Sequence, residues 1–158
     1  MPFFREYRPP KTIRALFIIH YAPLLLIIFI GPQSAFFQTF LLPTSAIPTI
    51  TAGMILFLFG TIFYFRWEYF WHKTYHGQLI TTGIFSLIRH PHYTSLIIIG
   101  YGLAFFFYSS LCLIIATIAI PIMMISIIDE EHHLIKQYGK DYELFMKQTP
   151  WRMIPKLF

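Results

Sequence analysis

The sequence predicts an all-α integral membrane protein with about four transmembrane helices and a C-terminal cytoplasmic amphipathic helix. Three observations carry that prediction. Hydrophobic residues make up 56% of the 158 positions and charged residues only 12%, about half the charge of an average soluble domain. A chain this short cannot hide so much apolar surface in one core, so lipid must solvate it. The apolar residues gather in four runs, and the cationic residues all fall outside them, on what must be one side of the membrane.

The first run, about Ala15 to Ile30, contains His20 and Pro23, both tolerable inside a bundle. The charged stretch before it is followed by no small-residue cleavage site, so this span reads as a retained helix and not as a removed signal peptide. His20 reads as a partner within the bundle. The second run, about Ile47 to Phe65, holds no charge and is long enough to cross hydrocarbon. The third, about Thr94 to Tyr108, is shorter, and the fourth, about Leu111 to Ile128, is again long enough. Only Ser109 and Ser110 separate the last two, which predicts a tight helical hairpin. From Asp129 to Met146 the chain reads as an amphipathic helix, because Leu134, Tyr138, Tyr142 and Phe145 recur at helical spacing. Gly139 marks a bend or interruption in it. With no internal repeat, the chain reads as one membrane domain over 1–158, the first two spans in 1–66 and the chemistry-bearing half in 67–158.

Charge sets the orientation. Arg5, Arg8, Lys11 and Arg14 precede the first run, and the connection from Gly31 to Ala46 carries no charge. Arg66, Lys73 and Arg89 lie between the second and third runs, and Lys136, Lys140, Lys147, Arg152 and Lys156 follow the fourth. The positive-inside rule then places both termini in the cytoplasm. The net charge of +5 belongs to these flanking residues, which read as topology signals and contacts to anionic membrane lipid, with no nucleic-acid surface. Aromatic residues at 20% suit a chain that meets both acyl tails and headgroups. The single cysteine, Cys112, excludes a disulfide framework and a Cys-based metal site, and it reads as a small packing residue.

Two polar clusters stand out by position. Arg89-His90-Pro91-His92-Tyr93 precedes the third run, and Asp129-Glu130-Glu131-His132-His133 follows the fourth. The hairpin between them has legs of roughly 22 and 27 Å at the helical rise, so it returns the second cluster to the membrane face of the first. Acidic residues set against Arg and His at the mouth of a bundle make a site for a polar ligand. Taken singly, the bland readings are strong: Arg89 as a topology anchor, Pro91 as a helix starter, the two glutamates as a solvated turn. Together at both ends of one hairpin, the pieces point to a site.

Other chemistries fit less well. Histidine-rich metal oxygenases pair His residues three or four apart several times over, and only His72 and His76 have that spacing, so no metal ligands are expected. No Gly-x-Ser-x-Gly elbow and no phosphate-binding glycine loop is present.

The string Gly83-Ile84-Phe85, then Arg89-His90-Pro91-x-Tyr93, then Glu130-Glu131-x-x-Leu134-x-x-x-Tyr138-Gly139-x-x-Tyr142, resembles the isoprenylcysteine carboxyl methyltransferase family. That family belongs to a superfamily of integral membrane methyltransferases that also includes phospholipid N-methyltransferases. The closing stretch Thr149-Pro150-Trp151-Arg152-Met153-Ile154-Pro155 is similar to the family's proline-containing tail. The resemblance covers about the last 80 residues, half of the chain. Three positions depart from the pattern: Phe85 replaces the usual Tyr, Ser95 the frequent Gly, and Ser126 an Arg of the eukaryotic enzymes.

The resemblance implies an enzyme that takes S-adenosyl-L-methionine from the cytosol and a lipophilic small-molecule or lipidated acceptor from the bilayer. It implies cofactor contacts at Gln78, Leu79, Ile80, Phe85, His90, Pro91, His92 and Tyr93, with Glu130 as the carboxylate partner. His90 and Glu131 are the candidates for a catalytic role, that of Glu131 being left open. The leading expectation is carboxyl O-methylation, which needs no general base; amine N-methylation is the alternative, and there His90, His92 or a water would serve as base. A non-catalytic membrane protein with the same fold is the expectation from another class.

Overall fold

A computed structural model of the chain describes residues 19–156. The cationic residues before the first span, and the start of that span, lie outside the described residues. Among the described residues, five helices and one short 3-10 turn make up the regular structure: α1 (Ala22–Phe37), α2 (Ala46–Thr74), the turn Gly83–Ser86, α3 (Pro91–Phe106), α4 (Ser110–Tyr138) and α5 (Lys140–Gln148). The described residues hold no named strand, and one isolated bridge joins Leu41 to Ser109.

Proline and glycine set several of the boundaries. Pro23 sits in the first turn of α1, where its missing N–H costs nothing. The helix then continues past Ile30, through Pro32, to Phe37, so it reaches farther than the apolar run. Pro91 likewise opens α3. Gly139, at φ +56°, ends α4 and starts α5 in a conformation that favours glycine. The stretch read as one amphipathic helix is therefore divided: 129–138 are the last turns of α4, and only 140–148 form a separate helix. Within α5, Tyr142 and Phe145 point inward and the lysines outward.

At 29 residues, α2 and α4 each reach roughly 43 Å, longer than a bilayer core needs. Both are long and apolar enough to cross a membrane. Nothing between Phe65 and Thr74 breaks α2, and Glu68 pairs with His72 one turn later at 2.8 Å. Its extension carries Trp67 and Trp71 to the level of the 3-10 turn, where Trp71 packs on Phe85.

Helices α2 and α3 pack closely because glycines remove the side chains between them. A Cβ on Gly102 would sit 2.5 Å from the backbone nitrogen of Phe57, and one on Gly60 would meet Ile98 at 2.9 Å. At one end of the bundle the α1–α2 loop is tied to the α3–α4 turn, with Ser110 N–H donating to Phe40 C=O at 2.7 Å and Leu42 N–H to Tyr108 C=O at 3.2 Å. A buried pair, Ser34 Oγ donating to Ser109 Oγ at 2.9 Å, closes the same end. The polar clusters gather at the opposite end. Large apolar side chains such as Phe29, Ile55, Ile62, Ile118 and Ile125 face outward along the helices.

Candidate active site

The hairpin of α3 and α4 brings the two polar clusters into contact. Arg89 donates from Nε and Nη2 to Glu131 Oε1, at 2.9 and 2.6 Å. Arg152, from the C-terminal tail, donates from Nε and Nη2 to the other oxygen, Oε2, at 3.0 and 2.8 Å. His90 Nε2 lies 3.3 Å from Glu131 Oε1. One carboxylate thus joins three chain segments. Burial alone would raise its pKa, but the hydrogen bonds from His90, Arg152 and Arg89 prevail and hold it down at about 2. Two arginines and a histidine outweigh desolvation here because both carboxylate oxygens are fully hydrogen-bonded.

The tail is held to α3 by its backbone. Arg89 N–H donates to Trp151 C=O at 3.0 Å and His90 N–H to Arg152 C=O at 2.8 Å. Thr94 Oγ1 donates to Met153 C=O at 2.8 Å, and Arg89 Nη1 to Thr149 C=O at 2.6 Å. These bonds satisfy donors just before α3 that the helix itself leaves unpaired. Met153 is buried among Tyr93, Leu96, Met123 and Ile127, which anchors the strap.

Adjacent residues of α4 have opposite surroundings. Glu131 points into the bundle with a side chain only 6% exposed, whereas the Glu130 side chain is 45% exposed. About 100° of helical rotation separates consecutive positions, which puts them on different faces. Glu130 Oε2 stands 3.7 Å from His90 Nδ1, so the two ring nitrogens of His90 face the two glutamates. Burial and the neighbouring Glu130 carboxylate push the Tyr93 hydroxyl above its ordinary range.

His92, in the first turn of α3, faces another way. Its Nε2 lies 2.9 Å from the Tyr21 hydroxyl, and its ring is surrounded by Trp67, Tyr93, Tyr64 and Tyr21 at centroid distances of 4.8 to 5.8 Å. Burial, followed by the charges of His20 and His90, lowers its pKa to about 3, so it is neutral at physiological pH. Its Nδ1 and the indole nitrogen of Trp67 are buried with no hydrogen-bond partner among the described residues.

The sequence-predicted cofactor contacts fall in three places. His90, Pro91, His92, Tyr93 and Glu130 cluster at the start of α3 and the end of the apolar part of α4. Gln78 and Leu79 line a separate open cavity of about 500 Å³, against Tyr138, Asp141 and Gln148. Ile80 and Phe85 are buried in an aromatic core with Tyr142 and Phe145. Ser126, where related enzymes carry Arg, is buried and hydrogen-bonds back to Ile122 C=O at 3.3 Å. Among the described residues, no group of three His, Cys, Asp or Glu side chains is placed to hold a metal. His72 bonds Glu68, and His133 bonds the carbonyl of Asp129 at 2.8 Å. Sequence reasoning missed Arg152 and Trp67, and it read His20 only as a bundle partner. The proline-containing tail that carries Arg152 was the one available signal for it; for the rings around His92 there was none.

A family model described as phospholipid methyltransferase matches residues 44–141, from the start of α2 into α5. The chain belongs to the phospholipid methyltransferase family. It is therefore a membrane methyltransferase, and the matched region takes in both polar clusters but not the tail that supplies Arg152. The match supports the wider superfamily read from the Arg-His-Pro and Glu-Glu motifs and does not single out the isoprenylcysteine branch. Searches of curated proteins and of solved structures found no match.

For this phospholipid methyltransferase family member, the residues at the site fit S-adenosylmethionine. The half-exposed Glu130 carboxylate suits its ammonium, and the unpartnered indole N–H of Trp67 suits one of its oxygen-bearing groups. The aromatic rings around His92 suit a sulfonium or an adenine.

Proposed function

We propose that this protein methylates the amine of a lipid at the cytoplasmic membrane face, with S-adenosylmethionine as donor. The observation that carries the reading is the Arg89–Glu131–Arg152 lock, which holds His90 beside an open Glu130 in a chain of this family. When bound, the cofactor supplies a methyl group already activated on sulfonium. What remains for the chain is alignment and exclusion of water. Glu130 binds the donor's ammonium, and backbone N–H groups at the start of α3 meet its carboxylate. His90, fixed by Glu131, faces Glu130 and sets its position. His92 accepts a hydrogen bond at Nδ1 from the acceptor's N–H, with Nε2–H donating to the Tyr21 oxygen.

In this proposal the chain crosses the membrane four times, with both ends of the described chain on the cytoplasmic side. Helices α1 and α3 have 16 residues each and run between the same two ends as α2 and α4. Arg66, Lys73, Arg89, Lys136 and Arg152 lie at the site end, while the Gly31–Ala46 connection and the serine turn carry no charge. Helix α5 caps that end, its charged face toward solvent and headgroups.

Carboxyl O-methylation is the second reading, and the Arg-His-Pro and Glu-Glu motifs favour it equally. Buried Ser126 in place of Arg speaks for the amine, since no cation stands there to meet a carboxylate acceptor. The test is calorimetric titration of the detergent-purified protein with S-adenosylhomocysteine, followed by acceptor profiling with a radiolabelled methyl donor. Micromolar binding, near −8 kcal/mol, and a base-stable labelled lipid are expected. A base-labile product moves the assignment to the carboxylate, and a folded protein that binds no cofactor overturns the enzyme reading.

A further inference from the structure

His92 stands at one end of a line of polar groups that leads out of the bundle. Its Nδ1 is buried with no hydrogen-bond partner among the described residues, while Nε2 meets the Tyr21 hydroxyl at 2.9 Å. That hydroxyl is hydrogen-bonded in turn to the hydroxyl of Tyr64, on α2. Tyr64, Glu68 and His72 follow one another at intervals of four along α2, which stacks them on one face of the helix. The Glu68 carboxylate is close enough for its charge to act on both phenols, and its Oε1 lies 2.8 Å from His72 Nε2. Exposure rises along the line, from the aromatic surround of His92 to the half-exposed side chain of His72.

We infer that the line from His92 through Tyr21 and Tyr64 to Glu68 carries away the proton that amine methylation releases. The inference rests on the amine-acceptor reading above. The nitrogen–methyl bond forms as the carbon–sulfur bond breaks and leaves its electron pair on sulfur, and the acceptor nitrogen then has a proton to lose. His92 Nδ1 takes it while the Nε2 proton passes to the Tyr21 oxygen. The Tyr21 proton moves to the Tyr64 oxygen and the Tyr64 proton toward the Glu68 carboxylate, which hands it to water. Such a line is needed because the ring cannot keep the charge. Burial holds the His92 pKa at about 3, far below that of a base able to store a proton at neutral pH. Losing the Nε2 proton as Nδ1 gains one keeps the ring neutral, and the site stays closed to water meanwhile. The hydroxyls turn back and the ring recovers its tautomer when the site reopens between turnovers. A carboxylate acceptor releases no proton and would leave the line idle.

The experiment compares the full chain with its Tyr64→Phe and Glu68→Gln variants, each of which removes one proton-carrying group and little volume. With nitrogen-15-labelled histidine in detergent micelles, NMR reads exchange of the His92 Nε2 proton with water in the absence of cofactor and acceptor. Both variants should slow that exchange by about tenfold. In turnover of an amine lipid, kcat should likewise fall by about tenfold, while KM and the affinity for S-adenosylhomocysteine stay within about twofold. Added imidazole should restore kcat in Glu68→Gln, because that end of the line is open to solvent; the loss of a merely structural side chain would not respond to it. Tyr69→Phe, at an exposed position on the same helix, is the control and should change none of these readings. Unchanged exchange in both variants, or an unchanged kcat on an amine lipid, overturns the proposal. The exchange is read without turnover, so slowed exchange in the variants of an enzyme whose product is base-labile refutes the amine reading, and with it the line's part in the transfer, while the line itself stands.

Discussion

Glu131→Gln is the most informative single substitution, because it keeps the side-chain volume and removes one charge from the centre of the lock. Arg89, with a side chain only 5% exposed, would be left buried without its anion. Neutralising one member of a buried pair costs about 3–5 kcal/mol. The depressed pKa of the same carboxylate gives a second figure. Its pKa falls from an ordinary 4.5 to about 2 in the fold, which at about 1.4 kcal/mol per unit comes to about 3 kcal/mol. A depressed carboxyl pKa means the stabilisation is complete above pH 4.5 and disappears as pH falls from there through 2. Urea unfolding in detergent micelles, followed by tryptophan fluorescence, should therefore show Glu131→Gln less stable by about 3 kcal/mol at pH 7. The gap to wild type should narrow steadily below pH 4.5. Arg152→Ala should cost less, about 1 kcal/mol, since its side chain is 38% exposed and solvent screens the pair. A loss under about 1 kcal/mol for Glu131→Gln, or a gap as wide at pH 2.5 as at pH 7, would refute the reasoning.

Three other expectations follow from neighbouring geometry. Glu130→Gln should weaken S-adenosylhomocysteine binding about fivefold, roughly 1 kcal/mol, while leaving urea stability unchanged; equal loss in both measurements would make Glu130 a structural residue. Gly102→Ala should cost about 2–3 kcal/mol, because the methyl group would press on the Phe57 backbone, which cannot rotate away. Gly100→Ala, whose new methyl group would sit 3.8 Å from Ala116 and Ile27, should be close to neutral. Met153→Ala should cost about 2–5 kcal/mol as a buried large-to-small change, whereas Ile154→Ala, at a residue 39% exposed, should change stability little; similar effects at the two positions would mean the strap is not seated as described.

The division between what was readable early and what was not follows the range of the interactions involved. Hydropathy and helical rise depend only on neighbouring residues, so the apolar runs, the hairpin turn and the meeting of the Arg-His-Pro and Glu-Glu clusters at one end were open to inspection in the chain itself. Helix ends were less so. Helix α2 runs nine residues past its apolar stretch, and α4 continues through the glutamates to Tyr138, because no breaker intervenes and the extensions pack on the 3-10 turn and α5.

By itself, then, the sequence determined an all-helical apolar chain with its chemistry concentrated at one end, and the motif order that marks a membrane methyltransferase. Only the tertiary structure decided which glutamate is buried, where Arg152 goes and what surrounds His92. Glu131 and Glu130 are adjacent in the chain and of one chemical type; a helical step of about 100° sends them to different faces. The partners that then set their charge and exposure come from 41, 42 and 21 positions away. Local residue order carries no record of a partner at that separation, since the pair exists only after α3, α4 and the tail have packed.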